Sequence, residues 1–311
     1  MMQNAAGKRL YIQEVAPRDG FQNEQRFIET DDKIALIDRL SDCGYAKIEA
    51  TSFTSPRAIP ALRDAEEVMA RIRRNPAVLY TVLVPNVRGA ERAAACDVDE
   101  VNLVMSVSET HNRANMRMGR EQSFGQLSEI IRTLRGTRTR VNVSLSTAFG
   151  CPMEGDIDEA FMFELMDRFA EQGVASLTLC DTTGMAYPTQ VGRIADRARQ
   201  RFGSLELVMH FHNTRGMALA NTLASLEAGI DRFDASLGGL GGCPYAPGAS
   251  GNACTEELVH MLELMGYDTG VSLEGILAAG ALLPDLVGHD TPSQIQKAGL
   301  RSRRHPAPVQ A

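Results

Sequence analysis

One pattern constrains this chain more than any other. Eight times in succession a short run of β-branched and aliphatic residues is followed by a segment of helical periodicity. The runs are LYIQEVAP (Leu10–Pro17), YAKIEATSF (Tyr45–Phe53), VLYTVLVPN (Val78–Asn86), EVNLVMSVS (Glu100–Ser108), RVNVSLSTAF (Arg140–Phe149), VASLTLCDTTG (Val174–Gly184), LELVMHFHN (Leu205–Asn213) and RFDASLGG (Arg232–Gly239). The first is followed by a helix with Thr30 as its expected N-cap, the second by a helix near Pro60–Arg73, and the third by one ending near Cys96. Strands alternating with helices build parallel sheets through right-handed βαβ units. Eight units without a break predict an α/β fold closed as a (β/α)8, or TIM, barrel rather than a doubly wound sheet. The turn after the first run reads APRDGFQNE and carries no G-x-G-x-x-G fingerprint.

The expected organisation is a loose N-terminus over 1–9 and a catalytic barrel over 10–270. A C-terminal helical extension of the same domain follows over 271–300, from segments at Leu273–Leu283 and Ser293–Gly299, then a disordered tail over 301–311. The net charge is −7 and there is no long Lys/Arg run beyond the short RSRRH near the end, which argues against a nucleic-acid partner. No apolar run approaches the roughly 18–20 residues of a membrane span, and the N-terminus lacks the apolar stretch of a signal peptide. The six cysteines show no C-x-x-C spacing. They read as reduced thiols, mostly buried, in a cytoplasmic protein.

Barrel enzymes place their chemistry at the C-terminal ends of the strands. The polar residues there are Arg18, Asp19, Glu24, Glu49, Ser52, Asn86, Ser108, His111, Thr147, Asp181, Thr182, His210, His212, Asn213, Cys243 and Asn252. His210 and His212 form an H-x-H pair on one strand, so both imidazoles face the barrel mouth. Two imidazoles with carboxylate and amide oxygens suit a divalent cation, Mg2+ or Mn2+ first, with positions left for substrate oxygens. Asp19 precedes Gly20 and is either a turn residue or a ligand. A carboxylate inside a strand needs a partner, and Arg18 is the candidate for Glu49, in a structural ion pair or a working one. Asn252 stands either as a helix cap or as an oxygen ligand. Cys243 lies within GGLGGCPYAPGASGN (Gly238–Asn252), a loop flexible enough to close over a ligand and deliver a proton donor.

The segments EVAPRDGFQNE, IEATSF, HFHNTRGMALANT and GLGGCPYAPGASGN together resemble the 3-hydroxy-3-methylglutaryl-CoA lyase family of metal-dependent barrel lyases, from about Tyr11 to Gly266. The resemblance implies retro-Claisen cleavage of a 3-hydroxy-3-methylacyl-CoA to acetyl-CoA and a keto acid. It implies Asp19, His210, His212 and Asn252 as metal ligands, with Glu49 one step back, holding Arg18. It further implies Arg18 as the stabiliser of the enolate oxygen and Cys243 as the acid that protonates the carbanion, with Asp19 or a histidine taking the hydroxyl proton. Asp181 joins Arg18, Asp19, Glu49, His210 and Cys243 among the catalytic candidates. The expected partner is a small-molecule acyl-CoA, and the expected assembly a homodimer or higher homo-oligomer. Three positions depart from the family pattern. Asn213 and Arg215 replace the Asp and Tyr of His-Asp-Thr-Tyr-Gly, and Cys180 replaces the Gly before Asp181. A lyase for a related acyl-CoA, a Claisen-condensing synthase and a non-catalytic CoA-ester binder are the competing readings.

Overall fold

A computed structural model describes residues 7–242 and 251–306. Eight parallel strands close in chain order, with the last paired to the first through Tyr11↔Arg232 to Glu14↔Ala235. They are β1 (Tyr11–Glu14), β2 (Lys47–Ser52), β3 (Leu79–Leu83), β4 (Glu100–Ser106), β5 (Arg140–Ser146), β6 (Ser176–Asp181), β7 (Glu206–Phe211) and β8 (Arg232–Ala235). Around them lie α1 (Thr30–Ser41), α2 (Ala65–Arg71), α3 (Val87–Ala95), α4 (Glu109–Met116), α5 (Arg120–Leu134), α6 (Glu159–Ala170), α7 (Pro188–Phe202), α8 (Ala218–Glu227) and α9 (Thr255–Leu264). After the barrel come α10 (Leu273–Gly280), α11 (Leu283–Val287) and α12 (Gln294–Ala298).

The strands are amphipathic in an unusual sense. Parallel strands covered on both faces usually read as continuous apolar runs. Here one face of each strand carries the core against the helices, as with Ile12, Ile48, Val82, Leu103, Val143 and Met209, all fully buried. The alternate residues point into the barrel and are mostly polar. Asn102 bridges Glu49, Asn142 and Ser144, and Asn142 accepts from Ser176 and Thr178. Lys47 pairs with Glu100 below them. Barrel interiors are more often filled by Val, Ile and Leu. This one replaces dispersion packing with a connected hydrogen-bond ladder, which leads up to Arg18 and the mouth.

Local chemistry explains the element ends. Asn86, Ser108 and Asp158 accept hydrogen bonds from the first-turn amides of α3, α4 and α6. Thr30 is not the cap of α1. Glu29 holds that position without a side-chain bond, and Thr30 instead donates to Asp64. The helix expected near 60–73 is split into a tight turn at Pro60–Leu62 and the short α2. Residues 7–9 are already engaged: Arg9 bridges to Asp268, and Gly7 donates to the Gly266 carbonyl. Described residues 301–306 are exposed. No described helix is long and apolar enough to cross a membrane.

Candidate active site

β1 runs straight into a single wide turn, Ala16–Gly20, in which the amides of Arg18, Asp19 and Gly20 all point at the carbonyl of Val15. That turn aims two consecutive charged side chains across the mouth. Arg18 donates from Nε to Glu49 at 2.6 Å and from Nη1 to Asp19 at 2.6 Å. Its Nη2 lies 2.5 Å from Glu49. Glu49 accepts a further bond from Asn102 at 2.9 Å. The guanidinium is thus held by two carboxylates with its fork in a fixed plane.

Asp19 faces the histidines. His210 Nε2 lies 3.2 Å from His212 Nε2 and 3.9 Å from Asp19 Oδ2. One ligand atom from each of the three lies within 4.8 Å of the other two. Asn252 donates from Nδ2 to Asp19 at 2.7 Å and to the Leu240 carbonyl at 2.9 Å. Its place is set by backbone pairing rather than by a helix. Residue 252 bridges His212, Asn213 donates to Gly251, and Ala253 donates to Phe211. Of the two readings of Asn252, the helix cap falls, because Cys254 is the N-cap of α9.

Burial and the neighbouring charges compete in the titration of the cluster. It would raise the Asp19 carboxyl, but Arg18, the two imidazoles and the Asn252 amide outweigh it and hold the group at about 2. Burial lowers His210, yet the Asp234 carboxylate and Asp19 bring it above the usual imidazole value. Burial and the neighbouring His210 push His212 down to about 3. Burial raises Glu49, opposed by Arg18 and Asn102. Glu49 and Asp19 keep Arg18 charged despite its burial.

The donor set fits a divalent cation. Asp19, His210 and His212 present an oxygen and two nitrogens to one small volume. The Asn252 Oδ1 beside them is buried with no hydrogen-bond partner among the described residues. No thiolate is among them, so the set is that of an oxygen- and imidazole-preferring ion.

The remaining mouth residues divide. Asp181 is buried, and its Oδ1 accepts from the amides of Met185 and Ala186, while Oδ2 has no partner among the described residues. Burial lifts this carboxyl to about 6. Asn86 and Ser108 serve as helix caps, and Asn213 accepts from the Ala218 amide. Ser52 bonds Thr54, His111 bonds Ser106, Thr182 accepts from the Thr147 amide, and Glu24 meets His289 at 3.0 Å. Arg215 donates to the carbonyls of Thr183 and Gly184, tying the loop after β7 to the loop after β6. Cys180 stands opposite His210 in the sheet, and burial with the Asp234 and Asp19 charges keeps its thiol protonated. Cys243 lies outside the described residues. Two contributors escaped sequence reasoning: Asn102, which orders Glu49, and Asp234, 3.1 Å from His210. An ionisable residue in the middle of a strand run, as in RFDASLGG, was the available signal for Asp234.

The HMGL-like family model matches residues 9–283. The chain is 45% identical over 287 residues to the hydroxymethylglutaryl-CoA lyase YngG of Bacillus subtilis, covering 92% of this chain and 96% of that protein. It is 40% identical over 291 residues to the mitochondrial hydroxymethylglutaryl-CoA lyase of Homo sapiens, covering 94% and 90%. Among solved structures, an HMG-CoA lyase from Acinetobacter baumannii in complex with coenzyme A and 3-methylmalate superposes with a TM-score of 0.94 at 50% identity, covering 99% of this chain and all of that one.

Proposed function

This chain belongs to the HMGL-like family, and on that premise we propose that it cleaves 3-hydroxy-3-methylglutaryl-CoA to acetyl-CoA and acetoacetate. The observation that carries the reading is the convergence of Arg18, Asp19, Glu49, His210, His212 and Asn252 at the C-terminal mouth of the barrel. A divalent cation held by Asp19, His210, His212 and Asn252, Mg2+ or Mn2+ in this reading, would supply the positive charge that acidifies the substrate hydroxyl.

The chain's own residues account for the rest. The tertiary hydroxyl gives up its proton to Asp19, and the C2–C3 bond breaks as C3 becomes the ketone of acetoacetate. The bonding pair passes to C2 and is delocalised onto the thioester oxygen. Arg18 meets that growing charge with a guanidinium that Glu49 and Asp19 have already oriented, so little reorganisation is needed as the charge develops. A proton delivered to C2 completes acetyl-CoA, and Cys243 is the donor in this proposal. Asp181, whose second carboxylate oxygen has no partner among the described residues, would hold a proton near the mouth.

The departures from the family pattern give no reason to change the substrate. Asn213 accepts from the Ala218 amide just beyond its own loop, and Arg215 donates to backbone carbonyls of the neighbouring loop after β6. The test is acetyl-CoA release from 3-hydroxy-3-methylglutaryl-CoA by the purified protein with Mg2+, and again with EDTA, beside Cys243→Ser. Metal-dependent turnover that collapses in the variant is expected. Folded, metal-supplied protein that leaves the thioester intact would remove this substrate.

A further inference from the structure

We propose that Asp234 is a positioning residue that orients the His210 imidazole for the cation; this rests on reading Asp19, His210 and His212 as a cation site. The register of β7 and β8 places Asp234 directly opposite His210. Its Oδ2 lies 3.1 Å from His210 Nδ1, while Nε2 of the same ring points at His212 and Asp19. A carboxylate accepts, so this bond requires the hydrogen on Nδ1 and leaves Nε2 to offer a lone pair when the ring is neutral.

The two histidines are unequal in this respect. The Nδ1 of His212 is buried and has no hydrogen-bond partner among the described residues. His210 is therefore the ring whose tautomer and rotation a described partner sets in advance. The restraint matters because turning an imidazole over exchanges Nε2 for a carbon and would withdraw a ligand from the cluster. Partners on the far nitrogen of a ligating histidine typically contribute a factor of about 10–100 in metal affinity.

The experiment measures Mn2+ binding by titration calorimetry on the full chain and the His210 tautomer by 15N NMR. The spectra are taken on metal-free protein near about pH 9, above the ordinary imidazole range of about 6.5. Asp234→Asn keeps an oxygen that can accept from Nδ1, whereas Asp234→Ala does not. The expected Mn2+ Kd rises roughly 10-fold in the first and nearer 100-fold in the second. The wild-type ring should be the Nδ1–H tautomer and the Ala variant a mixture. Mn2+ affinities within twofold of wild type in both variants, with His210→Ala binding lost, would overturn the proposal. So would an unchanged tautomer in Asp234→Ala. If His210→Ala binds Mn2+ as well as wild type does, the cation-site reading itself falls. Should Asp234→Ala fail to melt cooperatively, the isosteric Asn variant decides alone.

Discussion

Glu14 offers a test of the electrostatics under the site. Its side chain is fully buried, and its two oxygens accept four hydrogen bonds. Oε1 takes the amides of Ala16 at 2.9 Å and Leu237 at 2.8 Å. Oε2 takes the Tyr45 hydroxyl at 2.7 Å and the Thr255 hydroxyl at 2.9 Å. Those bonds join the turn that carries Arg18 and Asp19 to the base of the loop after β8. Burial nevertheless prevails and raises the carboxyl from 4.5 to about 7. A raised folded-state value means that the folded chain holds the proton more tightly than the unfolded one. The associated stability is fully present below about 4.5 and is lost as pH rises through about 7. The size of that loss is about 3 kcal/mol at 1.36 kcal/mol per pH unit.

Glu14→Gln isolates the effect. The amide oxygen can keep both backbone donors, and its NH2 can donate to the hydroxyls of Tyr45 and Thr255, which then turn to accept. The variant should exceed wild type by only about 1 kcal/mol near pH 5 and by up to about 3 kcal/mol near pH 8. Urea denaturation followed by circular dichroism at pH 5, 6, 7 and 8 measures the difference. A difference that stays constant within about 0.5 kcal/mol across that range would refute a raised Glu14, because only a group titrating differently in the two states produces a slope. A variant destabilised equally at every pH would show instead that the carboxylate is needed for its bonds.

Two further outcomes follow from the site's geometry. Arg18→Lys keeps the charge but cannot reproduce the three contacts to Glu49 and Asp19; kcat should fall by about 10²–10³ in steady-state assays of acetyl-CoA release. Gly251 has φ of +103°, and a Cβ there would lie 2.0 Å from the Gly239 carbonyl oxygen. Gly251→Ala should therefore displace Asn252, cost at least about 2 kcal/mol in denaturant unfolding, and weaken Mn2+ binding by calorimetry.

The local sequence determined the architecture because its signals are local. Each β-branched run and each amphipathic segment is legible within a dozen residues, and eight of them in a row leave closure as the natural arrangement. The same locality made His210 and His212 readable as a pair, since strand pleating alone puts alternate side chains on one face. Asp19 and Arg18 could be placed at the mouth by their position after β1. What a run of residues does not carry is which strand lies opposite which, and at what height. Asn102 orders Glu49 from 53 residues away, Asp234 meets His210 across the β7–β8 register, and Asn252 reaches Asp19 across 233 residues. Asn252 also shows how a local rule misleads. Asn near a helix start is ordinarily a cap, but here pairing with His212 and Phe211 holds the backbone extended, and the helix begins at Thr255. The polar barrel interior belongs to the same class. Alternation in VNLVMSVS and RVNVSLS was visible in the chain, yet closure of the sheet decided that the polar face would be the enclosed one. Buried polar groups then had to find partners on neighbouring strands, and those partners are set by register.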